Sequence, residues 1–314
     1  MVESKHKWKA WLYLSPAIVL LVIFTLWPII NTVRMAFMEG YDTMSVVGGE
    51  SFQFGFKNFI DVLTYGDFFL CLKNTLLLTL LTVPLSTLLA LLIAVCLNAI
   101  KPLQRLLQTI FFLPYVTNSI AIGMVFAAMF NMIGSNFGDP ERELLVTSGI
   151  INNVIEFFGG TKINWINTGS SDFANMFVMV VYIVWNALPF KILVLLGGLQ
   201  SVNKQYYDAA KVDGTRRVRV FTRITVPLLS PMISYVVITG FIGGFKEYSS
   251  IVGIFGDDMG PPGDATPLNT MVGYIYKSLS DQQGKASAAA LILFAIIFVV
   301  TLINLYVSKK KTHY

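Results

Sequence analysis

The chain has 314 residues, 55% of them hydrophobic and only 13% charged. Soluble domains carry about 25% charged residues, so a soluble globular reading is disfavoured and most of the chain belongs in lipid. Its formal charge of +5 does not point to nucleic acid, because the basic residues collect in particular loops and not along one patch.

A helix that crosses a bilayer needs about 20 mostly apolar residues. In chain order six segments qualify: 11–35, 74–97, 108–131, 173–196, 230–254 and 287–307. The expected fold class is all-α, a polytopic membrane protein of six spans. With no internal repeat and no low-complexity stretch, residues 1–314 read as a single transmembrane domain. Lys5, Lys7 and Lys9 precede the first span like the basic head of a signal peptide. The apolar run is too long for one and lacks a small-residue cleavage site, which predicts a retained anchor. Pro28, Pro84, Pro114 and Pro189 interrupt the spans, and bundles tolerate this because neighbouring groups re-satisfy the freed carbonyls. Cys71 and Cys96 would stand roughly 37 Å apart on the second span at about 1.5 Å per residue. A disulfide needs Cα atoms within about 7 Å, so both read as packing residues.

The loops alternate in charge. Lys5, Lys7, Lys9, Lys101, Arg105, Lys204, Lys211, Arg216, Arg217, Arg219, Arg223 and Lys309 to Lys311 fall on one side, against Glu3, Asp208 and Asp213. The other side carries Glu39, Asp42, Glu50, Asp61, Asp67, Asp139, Glu141, Glu143, Glu156, Asp172, Asp257, Asp258, Asp264 and Asp281. Lys and Arg bias their loops inward, so both termini and residues 201–229 are expected in the cytoplasm. The outer loop 132–172 is long enough to suggest function. A helix is expected around 144–158, with a surface for a soluble partner.

Between the fourth and fifth spans lies YYDAAKVDGTRRVRVFTRITVPLLSP, residues 206–231. Tyr206, Ala209, Ala210 and Val212 fall at helical spacing, and Asp213-Gly214 supplies a left-handed helix end. Thr215 is placed to cap a second, basic helix, in which Arg216, Arg217, Arg219 and Arg223 surround Val218, Phe221 and Ile224. This piece is too short to cross a bilayer and too apolar for a plain linker, so it needs a partner surface. Pro227 and Pro231 then relaunch the chain into the membrane.

The pattern Asp208-Ala209-Ala210, three residues, Gly214, then Ile224-x-x-Pro227 resembles the EAA loop of binding-protein-dependent ABC importer permeases, in the carbohydrate subfamily. Asp213 beside the glycine fits that subfamily; Asp208 replaces the usual Glu and shortens its reach by one methylene. Three outer stretches are similar to family elements as well: Phe54-Gly55-Phe56-Lys57-Asn58-Phe59, Ile163-Asn164-Trp165, and Gly260-Pro261-Pro262-Gly263 with Asn269 to Tyr276. The resemblance implies the type I ABC importer permease fold. It also implies a second permease chain as heterodimer partner, two ATPase subunits holding ATP and Mg, and an extracellular or periplasmic solute-binding protein. The ATPase would dock on Asp208, Ala209, Ala210, Asp213, Gly214, Arg217, Ile224 and Pro227.

The residues themselves supply no motor, since no G-x-x-x-x-G-K-[ST] run exists. Gly159-Gly160 and Gly197-Gly198 lack phosphate-loop spacing, and close helix packing explains the second pair. His6 and His313 lie in the tails, so no His-based metal or nucleophile site is expected, and no catalytic residue or cofactor on this chain. Lys246 and Glu247, flanked by Phe245 and Tyr248, are ionisable inside a predicted span. They admit two readings, a water-filled path or a span that ends early near the outer interface. Gly240, Gly243 and Gly244 make that helix face thin enough for a helix or ligand to approach. Tyr182, Asn186 and Phe190 fall at i, i+4 and i+8, with Trp185 and Lys191 off the stripe. An aromatic and an amide on one face suit a sugar, or an ordinary polar contact between helices. Thr117, Asn118 and Ser119 are weaker candidates of that kind.

Two functions are in play. The first is the permease of an ATP-driven importer for carbohydrate, an oligosaccharide above all, with glycerol phosphate or uronate-type substrates as alternatives. The second is an ion-coupled secondary transporter using Lys246 and Glu247, which would usually show repeat symmetry or several intramembrane carboxylates.

Overall fold

The computed structural model describes residues 7–42, 52–64, 66–100, 104–133, 147–263 and 268–311. His6, His313, Glu3, Lys5, Glu50, Lys101, Asp139, Glu141, Glu143 and Asp264, all named above, lie outside the described residues.

Among the described residues four helices are long and apolar enough to cross a membrane, and up to six if two bent pairs each count as one span. The first span is α1 (Lys7–Leu21), a π turn (Val22–Leu26) and α2 (Trp27–Phe37) in unbroken succession. After α3 (Lys57–Thr64) the second is α4 (Phe68–Ala99). The third expected span is two helices, α5 (Gln104–Val116) and α6 (Ser119–Phe130), bent by 98°. Asn118 makes the break: its backbone leaves the helical region at ψ 124°, and its Oδ1 accepts from the N–H groups of Ile120 (2.9 Å) and Ala121 (3.4 Å). That caps the first free donors of α6, a contribution of about 1 kcal/mol. A two-residue ribbon, β1 (Met132–Ile133) with β2 (Thr147–Ser148), leads to α7 (Ile150–Phe157). The expected outer-loop helix is therefore observed at Ile150–Phe157, residues 144–146 being outside the described residues. The fourth span is α8 (Asp172–Ser201).

The next segment holds α9 (Lys204–Val212), α10 (Arg217–Val220), a second π turn (Phe221–Thr225) and α11 (Val226–Leu228). Then come α12 (Ser230–Phe245), α13 (Ser249–Phe255), α14 (Met271–Leu279) and α15 (Gln283–Lys311). The chain turns by 68° at Leu229, between 217–228 and α12. Each π turn ends one residue before the residue that precedes a proline. Trp27 N–H bonds Val22 O ahead of Pro28, and Val226 N–H bonds Phe221 O ahead of Pro227. A proline has no N–H to give the regular ladder, and the wider turn takes up the slack.

The chain divides into two compact units, Met1–Phe68 with Tyr274–Ala295, and Phe69–Gly273 with Ile296–Tyr314. In the first, Asn58 is buried and its amide donates to the carbonyls of Ala36 (3.0 Å) and Met38 (2.7 Å). Phe37 packs on Phe56 and Phe59, with ring centroids 5.4 and 5.0 Å apart. Lys285 pairs with Asp61 at 3.3 Å. The Phe54-to-Phe59 stretch thus folds its aromatic rings over the end of α2 and pins it with one amide.

In the second unit α8 is the axis. Its N-terminal half contributes Val178, Met179, Tyr182 and Ile183 to one buried cluster with Phe130 and Ile251. Its C-terminal half contributes Ile192, Leu195, Leu196 and Leu199 to another with Ala90, Ala94 and Leu229. Between the clusters the α8 face is polar. Between α6 and α8, buried Asn152 holds Ile163 by two hydrogen bonds (2.9 and 3.1 Å) and accepts from the Trp165 indole (3.1 Å).

Candidate functional site

A cavity of about 250 Å³ lies where α8 passes from one cluster to the other. It is lined by Thr82, Val83 and Ser86 of α4, Tyr115 of α5, and Ile183, Asn186, Ala187, Phe190 and Lys191 of α8. Thr239, Gly240, Gly243 and Gly244 of α12, and Glu247 just beyond it, complete the wall. The Tyr115 and Phe190 rings stack, 5.8 Å apart and 20° from parallel.

Thr82 and Ser86 of the cavity wall belong to a longer face of hydroxyls on α4. Thr75, Thr79, Thr82 and Ser86 share one helix face at spacings of 4, 3 and 4, and each is buried. Each hydroxyl donates to the carbonyl four residues back, at 2.5 to 2.7 Å, which leaves its lone pairs facing outward. Thr75 Oγ1 accepts the Met271 N–H at 3.0 Å, and Ser86 and Thr87 accept from Lys191 Nζ at 2.7 and 2.9 Å. The third Nζ bond goes to the Val83 carbonyl at 3.2 Å. Opposite this wall the α12 glycines admit close approach. A Cβ on Gly240 would stand 3.2 Å from Lys191 Nζ, and one on Gly244 2.8 Å from Thr79 Cγ2.

Of the residues expected on a path, Asn186, Phe190 and Glu247 line this cavity. Tyr182 does not; it is wholly buried, its hydroxyl donates to the Ser119 carbonyl at 2.5 Å, and its ring packs edge-on against Phe126 at 4.9 Å. Phe245 is buried and Tyr248 packs against the cluster of Phe130 and Ile251. Lys246 is exposed, outside the cavity wall. The helix ends at Phe245, and the Glu247 carboxylate accepts the Ser250 N–H at 3.2 Å in the first turn of α13. The two residues therefore part company past the end of the helix: Glu247 lines the cavity and Lys246 does not. Thr117, Asn118 and Ser119 form the capped break between α5 and α6.

Sequence reasoning missed the hydroxyl wall and Lys191. The signal was present in both cases. Four small hydroxyl residues recur on one face of a leucine-rich span, and a lone lysine sits within a long apolar helix, which is costly without partners.

The second candidate is the connection between α8 and α12. Asn203 caps α9 by accepting the Gln205 N–H at 2.9 Å. At the other end Thr215 N–H reaches back to Ala210 O (3.0 Å) and Gly214 N–H to Lys211 O (3.1 Å), with Gly214 at φ +65°. This is a glycine-terminated helix end of the kind expected from Asp213-Gly214. The expected cap by Thr215 is not made; Arg216 holds that position without a side-chain bond. Ala210 is buried, and Ile224 and Pro227 are half-buried, while Asp208, Ala209, Asp213, Gly214 and Arg217 are exposed. Beside them lies a cleft of about 550 Å³ lined by Tyr207, Lys211, Gly214, Arg217 and Phe221 among others. The Tyr207 hydroxyl meets Thr225 Oγ1 at 3.4 Å across it. The two glycine pairs have structural employment. Gly159-Gly160 ends α7 through the bond from Gly160 N–H to Ile155 O (2.9 Å), and a Cβ on Gly198 would stand 2.8 Å from Met232.

The chain is 29% identical over 301 residues to the arabinooligosaccharides transport system permease protein AraP of Bacillus subtilis, covering 95% of this chain and 88% of that one. It is 26% identical over 312 residues to the trehalose/maltose transport system permease protein MalF of Thermococcus litoralis, covering 98% and 97%. Its fold matches a chain of the crystal structure of a bacterial alginate ABC transporter in complex with an alginate pentasaccharide-bound periplasmic protein. That match has a TM-score of 0.77 at 22% identity and covers 97% of this chain and 95% of the other. Residues 83–313 match the family described as binding-protein-dependent transport system inner membrane component, and the chain belongs to that family.

Proposed function

We propose that the chain is half of the membrane path of an ATP-driven importer for an oligosaccharide, paired with a second, related permease chain. Family membership carries the transport reading. The cavity at the middle of α8 carries the substrate reading, because it offers what a sugar needs: an aromatic pair, an amide, hydroxyls and a carboxylate acceptor. The names of the relatives, permeases for arabinooligosaccharides and for trehalose and maltose, support the same class. In this reading both termini and α9 face the cytoplasm, and the two compact units serve one permease domain. Each of two ATPase subunits holds ATP and Mg; one grips α9 and the turn after it, through the exposed Asp208, Ala209, Asp213, Gly214 and Arg217. Closure of the ATPases displaces α9, and the displacement tilts α8 and α12, which flank the cavity. An external solute-binding protein delivers substrate to the outer side, where Phe157 and Phe158 at the end of α7 are exposed. The ion-coupled alternative does not accord with the family, nor with the separation of Lys246 from Glu247.

The test is uptake by proteoliposomes that hold the purified complex with its binding protein. Labelled oligosaccharide is expected to accumulate only with ATP present, and labelled amino acids are not. Accumulation driven by an ion gradient without ATP would overturn the reading.

A further inference from the structure

Lys191 is 4% exposed, and among the described residues it has no carboxylate partner. The ion pairs there are Lys162 with Glu156 and Lys285 with Asp61. Glu247 lines the same cavity without pairing with Lys191. An ammonium at this depth is costly unless neighbours share its charge, and two hydroxyls and a carbonyl share it only in part.

The third bond is the expendable one. The Val83 carbonyl already accepts Thr87 Oγ1 at 2.7 Å before it accepts Lys191 Nζ at the longer 3.2 Å. Nζ can therefore turn one N–H toward the cavity while Ser86 and Thr87 hold it in place. Access to it is kept open by Gly240, where any Cβ would press on Nζ at 3.2 Å. An anionic ligand oxygen there would gain a charge-assisted hydrogen bond and supply the missing countercharge.

We propose that Lys191 selects for a saccharide carrying an acidic group, a uronate, whose carboxylate meets Nζ while its hydroxyls donate to Glu247 and to the Asn186 carbonyl. This deepens the oligosaccharide reading and rests on it. The two residues divide the labour: the cation takes the acid and the carboxylate takes hydroxyls. A neutral sugar leaves the ammonium without its countercharge.

The test is equilibrium binding to the purified complex of permease and ATPase subunits, without binding protein. The probes are trisaccharides of galacturonate and mannuronate against galactotriose and mannotriose. The uronate series is expected to bind at least about tenfold more tightly, which is about 1.4 kcal/mol. Lys191→Gln is expected to bring that ratio close to one, and Lys191→Arg to retain most of it. Equal affinity of the wild-type complex for the two series overturns charge selection and leaves the saccharide reading standing. Binding of neither series overturns both. A preference that survives in Lys191→Gln also overturns the assignment. If that variant does not assemble, the wild-type ratio and the Lys191→Arg ratio decide, and loss of preference in the arginine variant counts against it.

Discussion

Tyr182 and Asn186 stand one turn apart on α8 and have different employment. The Tyr182 hydroxyl is spent on the Ser119 carbonyl inside the cluster of Phe130 and Ile251, whereas Asn186 lines the cavity. Tyr182→Phe is therefore expected to cost about 1 kcal/mol of stability without raising the substrate concentration needed for half-maximal uptake. Asn186→Ala is expected to raise it. Thermal melting of the complex and uptake titrations check the two together. The stripe was legible in the sequence, because helical spacing is. Which member of the stripe faced open space was not, since that depends on Phe126 and Ser119 from another helix. Lys191 shows the same limit: its three partners are more than 100 positions away in the chain. Gly214 is the opposite case, a residue whose role is local and therefore readable. Its φ of +65° is closed to proline, whose ring holds φ near −65°. Gly214→Pro is expected to leave membrane insertion intact and to abolish both uptake and transport-stimulated ATPase activity. Immunoblots of membranes alongside both assays check this, and retained transport would remove α9 from the mechanism.

At the scale of helices, α6 and α13 cross backbone to backbone. A Cβ on Gly123 would stand 2.7 Å from Gly253 Cα, and one on Gly253 3.0 Å from Gly123 Cα. Small residues at such a crossing are what membrane helices use to approach closely. Gly123→Leu is expected to destabilise the complex by about 1–3 kcal/mol or more through overpacking. Gly197→Ala, whose Cβ would meet nothing within 4 Å, is expected to leave melting unchanged. Two single glycines on segments far apart in sequence carried no signal of this meeting. The four long helices among the described residues were readable because apolar length alone decides them. The breaks elsewhere were not. Asn118 in the third reads as an ordinary polar residue until its side chain is seen capping α6, and the fifth ends at Phe245, not beyond Glu247.

For the whole molecule, an ATP-driven importer should be indifferent to ion gradients. Collapsing the proton gradient with a protonophore is expected to leave ATP-dependent uptake in proteoliposomes unchanged, and a loss of uptake would return Glu247 to consideration as a relay. The loop that joins the C-terminal end of α8 to the N-terminal end of α12 carries the rest of the mechanism, because it is the sole stretch proposed to receive force from outside the chain. Its exposed face includes Tyr206, 54% exposed, and Val212, 89% exposed, apolar surface that a partner would cover. The most direct measurement is thiol crosslinking from Tyr206→Cys, in a background with Cys71→Ala and Cys96→Ala, on membranes of cells expressing the whole transporter. A crosslink to the ATPase subunit is expected, formed only when the cytoplasmic side is open to the reagent. A crosslink to the solute-binding protein instead, or labelling of that cysteine from outside intact cells, would contradict the proposed coupling.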